Sequence, residues 1–280
     1  MPTMKINDIT MYYEVHGEGI PVVLIPGIWS DLSGWKTTIP ELSKKYRVIA
    51  LDCRGAGRTD KPDASYSLEM MADDVLGLMD ALRIEKAHIL GASMGSRVAQ
   101  VIAMRYPERT RSLVLHVAAA RQSMSVFKHL LVLVTRLQLR NPHFFDKISA
   151  YPPTRESALR QFDALLAFDS RDWLGKIRAP TLVVNGTKDA IVGSRKYTDE
   201  LVSGIPGAKL ILVEGTHFLA SENPYLLIDP ALAFMETVDR DLERTEVPCD
   251  AGRERPRISS PGPVGAAQAA PTAGGDRHGA

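Results

Sequence analysis

The stretch HILGASMGSRVAQ (88–100) contains the pattern Gly91-Ala92-Ser93-Met94-Gly95. A serine hydroxyl is a weak nucleophile near neutral pH. It becomes acylatable when a histidine takes its proton and a carboxylate orients that histidine. The pentapeptide alone does not establish this, because glycine and serine at ordinary frequencies produce it in about one chain of this length in ten. Its surroundings are more informative. The apolar run AHILGA (87–92) leads into the serine, and a helical pattern, RVAQVIAMRYPERT, begins directly after Gly95. A sharp strand-to-helix turn requires small residues at Gly91 and Gly95. This order places Ser93 at the carboxyl end of a buried strand, facing the free N–H groups of a helix start, where developing negative charge is favoured.

Seven histidines compete for the role of base. His88 and His116 lie within strand runs, His16 in an early turn, His129 and His143 in a long insertion, and His278 in the C-terminal tail. His217 follows KLILVEG (209–215) in the loop G-T-H-F, again at a strand's carboxyl end, and is the expected base. The acid belongs in another such loop. Asp189 stands in NGTKDAIV after the strand run TLVVNG (181–186), whereas Asp163, Asp169 and Asp172 occupy solvated positions of the insertion. The run after 112–118, Ala118-Ala119-Ala120, offers no acid, and Glu214 is second to Asp189 because it lies only three residues from His217.

The elements that would hold these residues follow from hydrophobic pattern. PVVLIP (21–26), RVIALD (47–52), AHILGA (87–92), SLVLHVA (112–118), TLVVNG (181–186) and KLILVEG (209–215) are continuous apolar runs, as strands covered on both faces are. Between them SLEMMADDVLGLMDALRI (67–84) carries an apolar stripe at helical spacing with Ser67 as N-cap. The opening KINDITMYYEVHG alternates and adds antiparallel strands at one edge. Such alternation of strand and helix predicts a mostly parallel, doubly wound α/β sheet. Residues 118–180 break the rhythm. Leu130, Val134 and Leu137, then Leu159, Phe162, Leu165 and Leu166, have helical spacing, which predicts a helical cap over one end of the sheet. The expected division is a core of 1–120 with 176–244, a cap of 121–175, and a Pro/Gly/Ala-rich tail, 245–280, that is disordered because it has almost no large apolar residue to bury.

Composition narrows the classes. The net charge is +1, with 45% apolar and 24% charged residues, and the basic residues are scattered, which argues against nucleic-acid or membrane partners. Two cysteines, Cys53 and Cys249, are too few for a disulfide scaffold, and no His/Cys cluster has zinc spacing, so no metal is expected. There is no signal-peptide core, and the longest apolar run, HLLVLVTRL, is far short of a membrane span. The expectation is a cytoplasmic protein that acts on a small molecule; nothing indicates its oligomeric state.

Over about residues 4–240 the chain resembles the α/β-hydrolase superfamily. Beyond the serine turn, DCRGAGRTDKP (52–62) is similar to the family's D-x-R-G-x-G-x-S-x-x-P loop, with Thr59 where serine is common. GTKDAIV resembles its acid loop, and EGTHFLASENP its G-x-H-x-x-x-x-E-x-P segment; the order Ser93, Asp189, His217 is the family's order. The resemblance is strongest to small esterases, enol-lactone hydrolases, carbon–carbon bond hydrolases and cofactor-free haloperoxidases. It implies an acyl-enzyme mechanism without cofactor or metal, and an oxyanion hole made by the backbone N–H groups of Met94 and Ile28. The family's usual His-Gly at that loop is replaced by Pro26-Gly27, and proline has no N–H and a fixed φ. Trp29, Phe127, Phe144 and Phe145 are candidates for an apolar pocket wall, and Arg97, Arg121 and Arg155 for binding a substrate carboxylate. A carboxylic-ester or lactone hydrolase is the first reading. Carbon–carbon bond hydrolysis, perhydrolysis and slow-turnover ligand reception on the same fold are the alternatives.

Overall fold

Neighbouring residues along the inner apolar runs bury into opposite halves of the core. Val23, Ile25, Ile89, Leu113, Leu115 and Val183 enter one cluster. Val22, Leu24, Leu90, Val114, Leu182 and Val184 enter the other. This period-two division is what a sheet with helices on both faces requires. The chain is known from a computed structural model that describes residues 2–122, 133–139, 141–145, 148–191 and 195–246. The readings for Phe127, His129, Leu130, His278 and the tail beyond 246 lie outside the described residues.

Eight strands form one sheet: β1 (Thr3–Ile6), β2 (Ile9–His16), β3 (Pro21–Ile25), β4 (Arg47–Leu51), β5 (Ala87–Ala92), β6 (Thr110–His116), β7 (Thr181–Gly186) and β8 (Lys209–Val213). Their order is β1-β2-β4-β3-β5-β6-β7-β8, antiparallel where β2 meets β1 and β4, and parallel elsewhere. All six apolar runs form the expected strands. β8 departs from the expected two-sided burial: it closes the sheet edge, and Lys209 and Ile211 are exposed.

Helices α2 (Leu68–Ala81) and α3 (Met94–Arg105) cover one face. α1 (Thr38–Leu42) and the long α7 (Tyr225–Glu246) cover the other, α7 running two residues past the expected end of the core. Ser67 caps α2 by accepting from Met70 N–H at 3.1 Å. α2 stops before residue 84 because Arg83 turns left-handed, at φ +55°. The Ile84 N–H then bonds back to the Met79 carbonyl at 2.8 Å and returns Ile84 to the core. None of the described helices is long and apolar enough to cross a membrane.

At the amino ends of the strands, buried polar groups tie α7 to the sheet. His88 on β5 contacts Ser112 Oγ on β6 at 2.7 Å through Nδ1 and Asp239 Oδ1 on α7 at 3.0 Å through Nε2. Arg111 Nε and Tyr46 OH also donate to Asp239, at 2.5 and 3.1 Å. Burial pulls His88 below the usual histidine range against the opposing charge of Asp239.

Between β6 and β7 the chain makes the insertion, which contains α4 (Arg155–Ala167). It contains Leu159, Phe162, Leu165 and Leu166, as their spacing predicts. Val134 and Leu137 sit in a short helical turn but are exposed. The insertion is fastened by specific bonds. Gln161 Nε2 donates to the Arg54 carbonyl at 2.8 Å, and its Oε1 accepts from Trp29 N–H at 3.0 Å. Ser149 Oγ and Tyr151 N–H both donate to buried Asp31, at 2.7 and 2.9 Å. The Arg58 guanidinium lies between the Tyr12 and Tyr151 rings, 3.4 and 4.4 Å from their centres. Two further helices, α5 (Arg195–Gly204) and α6 (Leu219–Glu222), flank β8 in sequence.

Candidate active site

Ser93 stands between β5 and α3 at φ +54°, ψ −112°, a conformation that residues with a Cβ rarely adopt. The turn is held from several sides. Ser93 N–H donates to the His116 carbonyl at 2.9 Å, and Ser96 Oγ donates to the Ser93 carbonyl at 2.6 Å. A side chain at Gly91 would collide with the Gly95 carbonyl, and one at Gly95 with the carbonyls of Ile25 and Pro26. Both small residues of the pentapeptide are therefore required by close backbone approach. β3 and β5 are neighbours while the chain visits β4 between them, so Ser93 lies where the strand order reverses.

His217 lies in the turn after β8 and Asp189 in the turn after β7. These turns are joined by Thr187 N–H to the Val213 carbonyl and Lys188 N–H to the Gly215 carbonyl, each 2.9 Å. His217 Nδ1 is 2.8 Å from Asp189 Oδ2, and its Nε2 is 3.0 Å from Ser93 Oγ. Asp189 Oδ1 accepts from Ile191 N–H at 2.9 Å, which fixes the carboxylate. The three side chains expected from their loops thus meet in one hydrogen-bonded line, although 124 residues separate Ser93 from His217. Glu214, the second choice for the acid, is exposed and pairs with Lys188 at 2.6 Å.

Near this line His116 is buried. Burial, with the nearby His217, pulls it down to about 4 against the hydrogen bond to the Val184 carbonyl, so it is neutral at pH 7.

The loop after β3 approaches the serine closely: a Cβ placed on Gly27 would lie 3.4 Å from Ser93 Cβ. The N–H groups of Ile28 and of Met94, first residue of α3, donate to no acceptor among the described residues. Next to Ile28, Trp29 has φ +62°, and it is held by Gln161 and by its own Nε1 donating to the Ala158 carbonyl at 2.9 Å. The insertion therefore braces this loop three residues beyond Pro26. Thr59 replaces the usual serine without loss of function for its hydroxyl, which donates to the Asp52 carbonyl at 2.7 Å and accepts from Tyr12 N–H at 2.9 Å.

The aromatic candidates form one group. Trp29 meets Phe144 and Phe145 edge to face, with ring centres 5.6 and 5.8 Å apart. Leu139 and Ala158 are buried in that cluster, and Phe162 packs against it. The three arginine candidates separate. Arg121 pairs with Glu200 at 3.1 Å and lies over the Tyr197 ring. Arg155 is exposed beside Glu156 and lines a hollow of 330 Å³ with Leu133, Leu137 and Leu159. None of Ser93, Asp189 and His217 lines that hollow. Arg97 is buried in α3 and bonds Gln122 Oε1 at 2.9 Å. Gln161, Asp31 and Ser149 were not foreseen from sequence; each meets a partner more than 100 residues away, and no local pattern marks them.

An eight-stranded sheet with one reversed strand, and a serine turn facing acid and histidine loops across its carboxyl edge, define the architecture of an α/β hydrolase. A sequence profile described as the α/β-hydrolase fold matches residues 20–153. The chain is 30% identical over 266 residues to RutD of Azorhizobium caulinodans, provisionally assigned as a carbamate hydrolase, covering 86% of this chain and all of that protein. Among solved structures, the enol-lactonase of Burkholderia xenovorans LB400 matches with a TM-score of 0.69 and 28% identity, over 86% of this chain and 100% of that one. A thermophilic esterase of Thermogutta terrifontis matches with a TM-score of 0.73 and 26% identity, over 85% and 99%. The chain belongs to the α/β-hydrolase family.

Proposed function

We propose that the protein hydrolyses a carboxylic ester or lactone through an acyl-enzyme on Ser93. The observation that carries this reading is the continuous line Asp189–His217–Ser93, with hydrogen-bond distances of 2.8 and 3.0 Å. His217 Nε2 takes the Ser93 proton as Oγ bonds to the carbonyl carbon, while Asp189 holds Nδ1–H and stabilises the imidazolium. The carbonyl oxygen, now an anion, accepts from the N–H groups of Ile28 and Met94, at the positive end of α3. The C–O bond to the leaving group then breaks, and the leaving oxygen takes the proton from His217. Water repeats the sequence on the acyl-enzyme, giving the acid and restoring Ser93. The insertion, residues 121–175, serves as the cap that shapes the substrate's space, with Trp29, Phe144 and Phe145 as its apolar wall. Similarity to an esterase and an enol-lactonase supports this substrate class.

A panel of p-nitrophenyl esters of increasing acyl length tests the proposal. A burst of p-nitrophenol equal to the enzyme present, lost in Ser93→Ala and His217→Ala, is the expected result. No burst with any ester rejects the hydrolase reading; a burst that survives in Ser93→Ala rejects the nucleophile.

A further inference from the structure

One helical turn beyond Ser93, α3 buries a cation that forms no ion pair among the described residues. Arg97 is 3% exposed. Among the described residues it makes one hydrogen bond, to the neutral amide oxygen of Gln122 at 2.9 Å, and its Nε has no acceptor. Arg54, equally buried, shows the usual arrangement: it is bonded to the carboxylates of Asp74 and Asp8. The ten residues that follow Gln122 in the chain, SMSVFKHLLV, contain no carboxylate.

The guanidinium is at the Ser93 end of the sheet. Helical side chains lean toward the helix N-terminus, so Arg97 reaches back over the first turn of α3. Gln122 lies beyond the carboxyl end of β6, and the charge of Asp189 is near enough to act on the guanidinium. The N-terminal end of α3 adds positive potential in the same place. Asp189 is bonded to His217 and to Ile191 N–H rather than to Arg97, so the buried cation and the helix start make a site that an entering anion would complete.

We propose that Arg97 recognises a carboxylate on the substrate, so that the ester or lactone cleaved at Ser93 also carries an acid group. This rests on the hydrolase reading of Ser93. Four residues of helix span about 6 Å, so the acid stands a short aliphatic chain away from the scissile carbonyl, about the length of a four- or five-carbon diacid half-ester.

The test is a matched pair: mono-p-nitrophenyl glutarate, which is anionic, and its neutral methyl ester. The wild type is expected to favour the anionic ester in kcat/KM by on the order of tenfold to a hundredfold. Arg97→Met and Arg97→Gln bring that ratio to one or below, and Arg97→Lys keeps part of it. A wild type without preference for the anion overturns the proposal, even if no Arg97 variant folds. So does an Arg97→Met protein in which both esters slow by the same factor, since that marks a positioning residue. Calorimetry on Ser93→Ala separates the two readings. Binding of monomethyl glutarate but not dimethyl glutarate, lost on adding Arg97→Met, supports the anion site even if the wild type turns over no ester; equal binding of the two compounds overturns it.

Discussion

At Ser93 the backbone is strained, because φ +54° is a region that glycine occupies freely and serine does not. Ser93→Ala retains that strain and Ser93→Gly relieves it. Both are expected to be inactive, and the glycine variant to be more stable than the alanine one by about 1 kcal/mol in urea titration. Equal stability would show that the turn is not strained. Beside it, His116 is neutral when folded, with its pKa near 4. The unfolded chain takes up a proton there below about pH 6.5, so folding stability falls as the pH drops from 6.5 toward 4, by at most about 3 kcal/mol from this residue. Comparing wild type with His116→Gln at pH 7.5 and 4.5 isolates that contribution; parallel losses in the two proteins would assign the acid sensitivity elsewhere.

Among the elements, those with local signals were legible in the sequence. The six apolar runs announced β3 to β8, and Ser93, Asp189 and His217 could be picked because each follows one of those runs in a short loop. The fastening of the insertion was not legible. Gln161 meets Trp29 across 132 residues and Arg54 across 107, and a glutamine on an amphipathic helix carries no sign of such a partner. The end of α2 was hidden for a related reason: Arg83 takes a conformation that only glycine advertises. Gln161→Leu leaves the Trp29 N–H and the Arg54 carbonyl buried without partners. It is expected to lower stability by about 2 kcal/mol. On the proposed mechanism it also lowers kcat more than it raises KM, because Trp29 adjoins the oxyanion donor Ile28. A loss of stability with unchanged kcat would confine Gln161 to holding the insertion.

Across the whole molecule, the two ends of the strands do different work. The carboxyl ends carry the loops of Ser93, Asp189 and His217, and at the amino ends Asp239 draws His88, Arg111 and Tyr46 onto α7. Burial pushes the Asp239 carboxyl up, but the bonds from His88 and Arg111 outweigh it and hold the group below the usual carboxylate range. Asp239→Ala strands Arg111 and His88 and is expected to lower stability by about 3 kcal/mol without changing the ratio of rates on paired esters; a smaller loss, below about 1 kcal/mol, would mean that apolar packing alone anchors α7. The amino-end network has a further consequence. Ser112, His88 and Asp239 are the same three residue types as Ser93, His217 and Asp189, in hydrogen-bond sequence and at similar distances. A search by residue type and proximity alone would return both constellations, although the ring is reversed: His88 meets its serine through Nδ1 and its acid through Nε2, and His217 does the opposite. Only one is at a kinked backbone beside open N–H donors; the other has its serine in an ordinary extended strand with zero exposure. A fluorophosphonate should therefore add once per chain, and not at all to Ser93→Ala, since the second constellation is a mimic sealed inside the fold.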